Sequence, residues 1–314
     1  MPLAPRQSSW SGISQGISST FMTDATRTYV SGFVLVAAGL VTGLAASSAI
    51  AGDRLLATGG VTQIEGSAGG GLTPWAVIAG LGTRDQIGAS AFCTSIEPQD
   101  FELTSCGVNV GIRDRVELSY AQQRFGLGTT VPGETIRQDI FGVKVKVFGD
   151  AIFAQDSLWP QLAVGAQYKV NKDFDFVPAL LGARDDADID YYVAATKVWL
   201  AGIAGRTTLV NGTLRATRAN QLGILGFGGD RNDDYSLQPE MSTAVFVTDH
   251  IIIGAEYRMK PDNLSVFAED DCWDAFVALV PFKNVSLTVA HVDLGNIADK
   301  AAQRGWYASL QASF

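Results

Sequence analysis

The chain has 314 residues, 47% of them hydrophobic and only 18% charged, with 34 glycines and a net charge of −9. That apolar content excludes a disordered chain. The acidic balance excludes a general nucleic-acid binder, because no basic patch would offset phosphate repulsion. Past the N-terminal region no run of about 18 apolar residues is present to cross a bilayer as a helix. The apolar residues therefore belong either to a soluble β-rich domain or to a membrane barrel, where they alternate with polar ones.

In chain order, Arg27 precedes the apolar run 30–41, which continues in small residues to Ala49-Ile50-Ala51. Small residues at 49 and 51 form an Ala-x-Ala cleavage pattern, so residues 1–51 are expected to be an export signal cut after Ala51. An uncleaved inner-membrane anchor is the competing reading, and a true start at Met22 would explain the long polar stretch before the apolar run. Residues 52–83 are glycine-rich around Gly66-Ser67-Ala68-Gly69-Gly70-Gly71. They lack the Gly-Lys-Ser/Thr ending of a phosphate-binding loop. This segment reads as flexible backbone before the barrel or as a plug folded into it, with 73–81 as an additional strand candidate.

From residue 84 the pattern becomes regular. Amphipathic segments of about ten to twelve residues are expected at 86–96, 101–112, 115–127, 136–149, 160–171, 188–201, 207–218, 237–247, 250–260, 272–283, 284–294 and 304–314. A tilted barrel strand needs about 9–11 residues to cross the hydrocarbon layer, whereas soluble strands average about five or six. Alternation is plain in 250–260, where Ile251, Ile253, Ala255, Tyr257 and Met259 alternate with Ile252, Gly254, Glu256, Arg258 and Lys260. Connections after odd-numbered segments are mostly long, and those after even-numbered ones mostly tight, as at Arg113-Asp114. This is the rhythm of an outer-membrane barrel. The exception, 150–159, is long enough to hold a short helix. The expected fold is all-β: a transmembrane antiparallel up-and-down barrel over 84–314 with twelve strands, or fourteen if 52–83 adds some.

The last segment places Trp306, Ala308, Leu310, Ala312 and Phe314 on one face and ends the chain in phenylalanine. Trp306, Leu310 and Phe314 thus form a lipid-facing edge with an aromatic anchor, resembling the signal read by the barrel-assembly machinery. Cys93 and Cys106 fall on one face of adjacent segments, where a cross-strand disulfide and two lipid-facing thiols are both open readings.

Several phrases together resemble one family: Glu65 to Ala76, Arg115-Val116-Glu117-Leu118-Ser119-Tyr120-Ala121, Ala219 to Asp230, Glu256 to Leu264, and Arg304-Gly305-Trp306-Tyr307. They are similar to the domain-of-unknown-function 3034 family of proteobacterial proteins, across nearly the whole chain after the signal. The resemblance implies an outer-membrane barrel-like protein and supplies no catalytic residue.

The polar faces are expected to line the lumen with Glu117, Lys144, Lys146, Lys169, Lys197, Arg215, Glu240, Glu256 and Arg258. Such a wall selects solutes by sign in an open pore, or pairs across the lumen and closes a narrow one. The 220–230 loop, carrying Asn220, Gln221, Phe227 and Asp230, is unusually apolar for solvent and could fold inward as a constriction. Acidic runs at 184–190, 230–234 and 269–274 read as solvated loop acids, with calcium or magnesium bridging to lipopolysaccharide as the alternative. Tyr235 stands where an EF-hand loop beginning at Asp230 would need glycine. Only His250 and His291 are present, so a barrel hydrolase pairing His291 with Ser309 is a minor reading.

The expectation is an outer-membrane passive channel or uptake transporter for small solutes, without cofactor or metal, in contact with outer-membrane lipid, lipopolysaccharide and the assembly machinery. The competing reading is a closed structural or surface-display barrel.

Overall fold

The structure, a computed structural model, describes residues 60–314. The export signal expected over 1–51 and the beginning of the glycine-rich segment lie outside the described residues. Two short strands, β1 (Val61–Thr62) and β2 (Ala68–Gly69), pair with each other. Twelve longer strands follow: β3 (Ile87–Pro98), β4 (Glu102–Ile112), β5 (Val116–Gly126), β6 (Thr135–Phe148), β7 (Gln161–Asn171), β8 (Ala187–Trp199), β9 (Thr208–Thr217), β10 (Ser236–Phe246), β11 (Ile251–Arg258), β12 (Cys272–Phe282), β13 (Val285–Asp293) and β14 (Arg304–Ser313). Each is antiparallel to its sequence neighbour. β14 closes onto β3 in the register Gly305↔Pro98 to Ser313↔Ser90, which completes a barrel. Closure matters because an open edge would leave unpaired amides and carbonyls in hydrocarbon.

The expected twelve-strand barrel is the one observed, and each expected boundary falls within two residues of its strand. The fourteen-strand alternative does not form. β1 and β2 pair only with one another, and 73–81 contributes a single bridge, Gly69↔Pro74. Segment 150–159 holds turns rather than a helix, because the Asp150 carboxylate accepts from the amides of Ile152 and Phe153 (2.9 and 2.7 Å).

Side chains obey the period of two. Val143, Val164, Val193, Leu214, Met241, Ile253, Val277 and Val289 are exposed on the outer face. Two aromatic belts flank this aliphatic band. Near the long loops lie Tyr120, Phe141, Tyr168, Tyr191, Tyr257, Trp273 and Trp306, with Tyr120 and Phe141 at 5.1 Å and His291 between Trp273 and Trp306. Toward the chain terminus lie Phe148, Trp159 and Phe282. An apolar band between aromatic belts is the outer surface of a membrane barrel. Cys93 and Cys106 are direct cross-strand partners on the outer face and are joined by a disulfide.

The tight connections lie at the terminal end. Arg113 and Asp114 both adopt positive φ (52° and 46°), the two-residue hairpin turn that matches strand twist. The opposite end carries loops 127–134, 172–186, 218–235, 259–271 and 294–303, together with one short link, 99–101.

Val277 sits midway between the belts on β12. Val277→Arg is expected to cost about 2–4 kcal/mol of folding stability in lipid vesicles, read as a shift of the urea midpoint.

Candidate functional site: the plugged lumen

Residues 60–82 fill the barrel interior, and nearly all are buried. The segment folds on itself through Gln63 N–Ser67 O (2.9 Å), Ile64 N–Gly71 O (3.0 Å) and Gly70 N–Thr73 O (2.9 Å). It then bonds strands around the whole wall. Thr62 donates to Gln311 on β14 (2.7 Å), Ser105 on β4 donates to Ile64 O (2.5 Å), and Thr196 on β8 accepts from Ala76 N (2.7 Å).

Glu65 is the electrostatic centre of this plug. Its carboxylate contacts Lys169 on β7, Arg258 on β11 (2.8 Å) and Arg215 on β9 (3.6 Å). Arg215 also meets Glu240 (2.5 Å) and Asp190 (3.3 Å), and Lys169 meets Asp190 (2.7 Å). All these side chains are almost fully buried, where a charge persists only if it is paired and hydrogen-bonded.

A second node is Glu117, which accepts from Ser67 Oγ (2.9 Å) and the amides of Ala68 (3.0 Å) and Ala79 (2.9 Å) and pairs with Lys144 (3.1 Å). Lys144 in turn donates to the carbonyls of Ala68 (2.8 Å) and Trp75 (3.1 Å). A third node is Glu256, which accepts from Leu72 N (2.6 Å), Thr73 Oγ1 (2.8 Å) and Ser242 Oγ (2.8 Å). Gly70 explains part of the glycine content, since a Cβ there would lie 1.8 Å from Glu256 Oε1.

The loop-end mouth is capped by residues 219–229, all buried. A 3-10 turn, Asn220–Gly223, is seated by Lys169 Nζ and Gln138 Nε2 donating to Leu222 O (3.1 and 3.3 Å) and by Asn171 donating to Ile224 O (2.6 Å). Glu269 accepts from Gln221 N (2.9 and 3.1 Å), and Lys260 Nζ donates to Gln221 Oε1 (3.0 Å). Burial pushes the Glu269 carboxyl up to about 7, against the opposing pull of Lys260 3.9 Å away.

Of the residues expected to line the lumen, Glu117, Lys144, Lys169, Arg215, Glu240, Glu256 and Arg258 face inward and are buried. Lys146 also faces inward but pairs with Asp114 at the terminal rim. Lys197 is a correction. It shares the register of outward Tyr191 and Val193, and its Nζ donates to Ala154 O (2.6 Å) of the 149–160 loop. A long lysine close to the rim reaches a polar partner there without facing the lumen.

Of the expected constriction residues, Asn220, Gln221 and Phe227 fold inward. Asp230 does not: it is exposed beyond the cap and accepts from Ser265 N (2.9 Å) on the neighbouring loop, where its charge stays hydrated. Two acidic runs gather on Arg218, which binds Asp185 (2.7 Å), Asp188 and Asp233 (2.7 Å). The third run is not wholly loop, since Asp274 faces the lumen from β12. Among the described residues no group of three histidine, cysteine or acidic side chains could hold a metal ion. His291 faces outward between two tryptophans, whereas Ser309 is buried and bonded to Thr94 (2.8 Å), so the two lie on opposite faces of the sheet.

Residues that sequence reading left out of the site are Glu65, Asp190, Asp274 and Tyr307. A lone acid inside a glycine-rich run was the available signal for Glu65.

Two outcomes follow from this geometry. Glu65→Gln removes the shared counter-charge of Lys169, Arg215 and Arg258 and is expected to cost plug seating about 3–5 kcal/mol, seen as faster amide exchange over 60–82 with the barrel strands unchanged. Glu269 gives the cap a pH response. Once exposed, its carboxyl titrates near 4.5, so between about 4.5 and 7 the closed cap binds more protons than the open one. Closure is therefore strongest below about 4.5, weakens as pH rises to about 7 and levels off above. Amide protection over 220–227 is expected to follow that course and to become flat in Glu269→Gln.

Comparison with curated proteins returned no match. Among solved structures, the outer membrane phospholipase A from Escherichia coli is 9% identical over 72% of this chain and 91% of its own, with a TM-score of 0.37. The COG4313 outer membrane channel from Pseudomonas putida F1 is 11% identical over 77% and 96%, at 0.38. A triple mutant of the Rhodopseudomonas blastica porin is 9% identical over 73% and 99%, at 0.22. At these identities and scores the likenesses assign no activity. Residues 58–311 match the family described as protein of unknown function (DUF3034), and with most of its length matched the chain belongs to that family.

Proposed function

We propose that this protein is an outer-membrane β-barrel of a Gram-negative envelope, working as an uptake channel for small solutes gated by its own plug. The observation that carries this reading is the polar part of the plug contacts, a set of hydrogen bonds and ion pairs centred on Glu65 that stands beside the apolar packing of Ile64, Leu72, Trp75 and Val77. Each neutral hydrogen bond is worth only about 0.5–1.5 kcal/mol net, because water replaces it. The bonds of the plug reach wall side chains and not the strand ladders, so its release would cost those bonds and the packing of its few apolar side chains while leaving the barrel closed. An apolar crevice beside the plug at the terminal end, lined by Trp75, Leu209, Phe246, Ile252, Phe276 and Val280, favours solutes with an apolar part.

In this reading the tight turns face the periplasm and the long loops face outward. Trp306, Leu310 and Phe314 present the outward edge that the assembly machinery reads, and lipid with lipopolysaccharide surrounds the aromatic belts. A permanently closed structural barrel is the second reading, favoured by the 219–229 cap, which shuts the other end as well.

Planar-bilayer conductance separates the two. The intact processed chain is expected to pass little current, and a chain lacking 60–82 a steady one. Thr62→Cys with Gln311→Cys, bridged across the existing Thr62–Gln311 contact, is expected to abolish solute uptake in cells until the bridge is reduced. A silent deletion barrel together with uptake indifferent to the bridge would establish the closed reading.

A further inference from the structure

The lumen charges of plug and wall do not balance. Lys144, Lys169, Arg215 and Arg258 are matched by Glu65, Glu117, Asp190 and Glu240, each within ion-pair distance of at least one of them. Two further buried acids, Glu256 and Asp274, have no ion-pair partner among the described residues. They are direct cross-strand partners on β11 and β12, both facing inward, and side chains so paired lie about 5 Å apart.

Two like charges placed side by side in a closed interior are costly unless something positive joins them. Glu256 is served by Leu72 N, Thr73 and Ser242. Asp274 has only the backbone amide of Glu256, and its Oδ1 is buried without a hydrogen-bond partner. An independent observation points to the same place. The hydroxyl of fully buried Tyr307 on β14 makes no well-formed hydrogen bond: the Thr94 and Ser309 hydroxyls lie beside it but are bonded to each other. A Cβ built on Gly71 would lie 3.2 Å from that hydroxyl and 3.4 Å from Asp274 Oδ2, so both oxygens converge on the plug backbone.

We propose that Asp274, Glu256 and Tyr307 form a buried site for one hard divalent cation of the calcium class, set between β11, β12, β14 and the Gly70–Gly71 turn of the plug. The donors are all oxygen, the preference of such ions, and a charge of +2 completes the ledger of the lumen. Asp274 supplies the open carboxylate, Glu256 the second negative charge, and Tyr307 a neutral oxygen. The site stands whether or not the plug moves in function.

The test uses the full processed chain refolded in detergent with calcium, then desalted and analysed for bound metal. The wild type is expected to retain about one calcium per barrel in a site of this charge, and Asp274→Asn to retain none. Asp233→Asn with Asp234→Asn, on an exposed loop, is expected to leave the retained metal unchanged. Terbium used in place of calcium is expected to show sensitised luminescence that falls in Tyr307→Phe. Heat-modifiable gel mobility reports whether each variant has folded, and Glu256→Gln is a second near-isosteric variant that should also lose the metal. Equal metal in the wild type and Asp274→Asn overturns the proposal, as does a wild type that retains none. An infrared band of a protonated carboxyl, present in the calcium-loaded wild type and absent from Asp274→Asn, also overturns it, because a shared proton would then do the neutralising.

Discussion

A buried charge must be paired, and the interior of this barrel is full of them. Eight strands enclose a space that side chains alone can fill, whereas twelve enclose more, and the eight consecutive strands β5 to β12 direct lysine, arginine and carboxylate groups into it. Without bulk water, those groups need partners from some other part of the chain. Some wall charges pair with each other, as Arg215 with Glu240 and Lys144 with Glu117, and residues 60–82 complete the set, with Glu65 answering three cations that arrive from three separate strands. The rest of the lumen is arranged around that contact.

The composition of the plug follows from the same requirement. Much of its bonding uses the backbone itself. The amides of Ala68, Leu72, Ala76 and Ala79 donate to wall side chains, and the carbonyls of Ile64, Ala68 and Trp75 accept from them. Side chains on the plug would hold the wall away from that backbone, and at Gly70 the Glu256 carboxylate leaves no room for one. A glycine-rich run that looks like a flexible lead is thus a surface of amides and carbonyls matched to a polar cavity. Such contacts can be exchanged with water, whereas the apolar contacts of Ile64, Leu72, Trp75 and Val77 with the wall cannot.

The two closures of the lumen share one residue. Lys169 binds Glu65 in the plug and donates to Leu222 O in the cap, so withdrawing either changes the environment of the other. Their chemistry differs. The plug is fixed by paired charges, and the cap by backbone groups plus one buried acid, Glu269. The cap therefore responds to proton concentration, and the plug to loss of its counter-charges.

Strand number, strand limits and the inward register of Glu117, Lys144, Arg215, Glu240, Glu256 and Arg258 were legible in the sequence, because alternation with a period of two is a local property that each strand carries alone. Lys197 was misplaced because its partner, Ala154, comes from a loop whose path no local pattern describes. Asp230 was misplaced because the point where a loop leaves the barrel mouth depends on its neighbours, here Ser265. Asp274 read as the end of an acidic loop, although the ladder with β11 begins at Cys272.

The amino-acid pattern by itself determined that this chain makes a twelve-stranded barrel with an apolar exterior. Only the tertiary structure decided that the barrel is filled, and by what. Inward charges select their partners by proximity in space, and Glu65 meets Arg258 across 193 residues of sequence, a separation at which no periodicity can signal the contact.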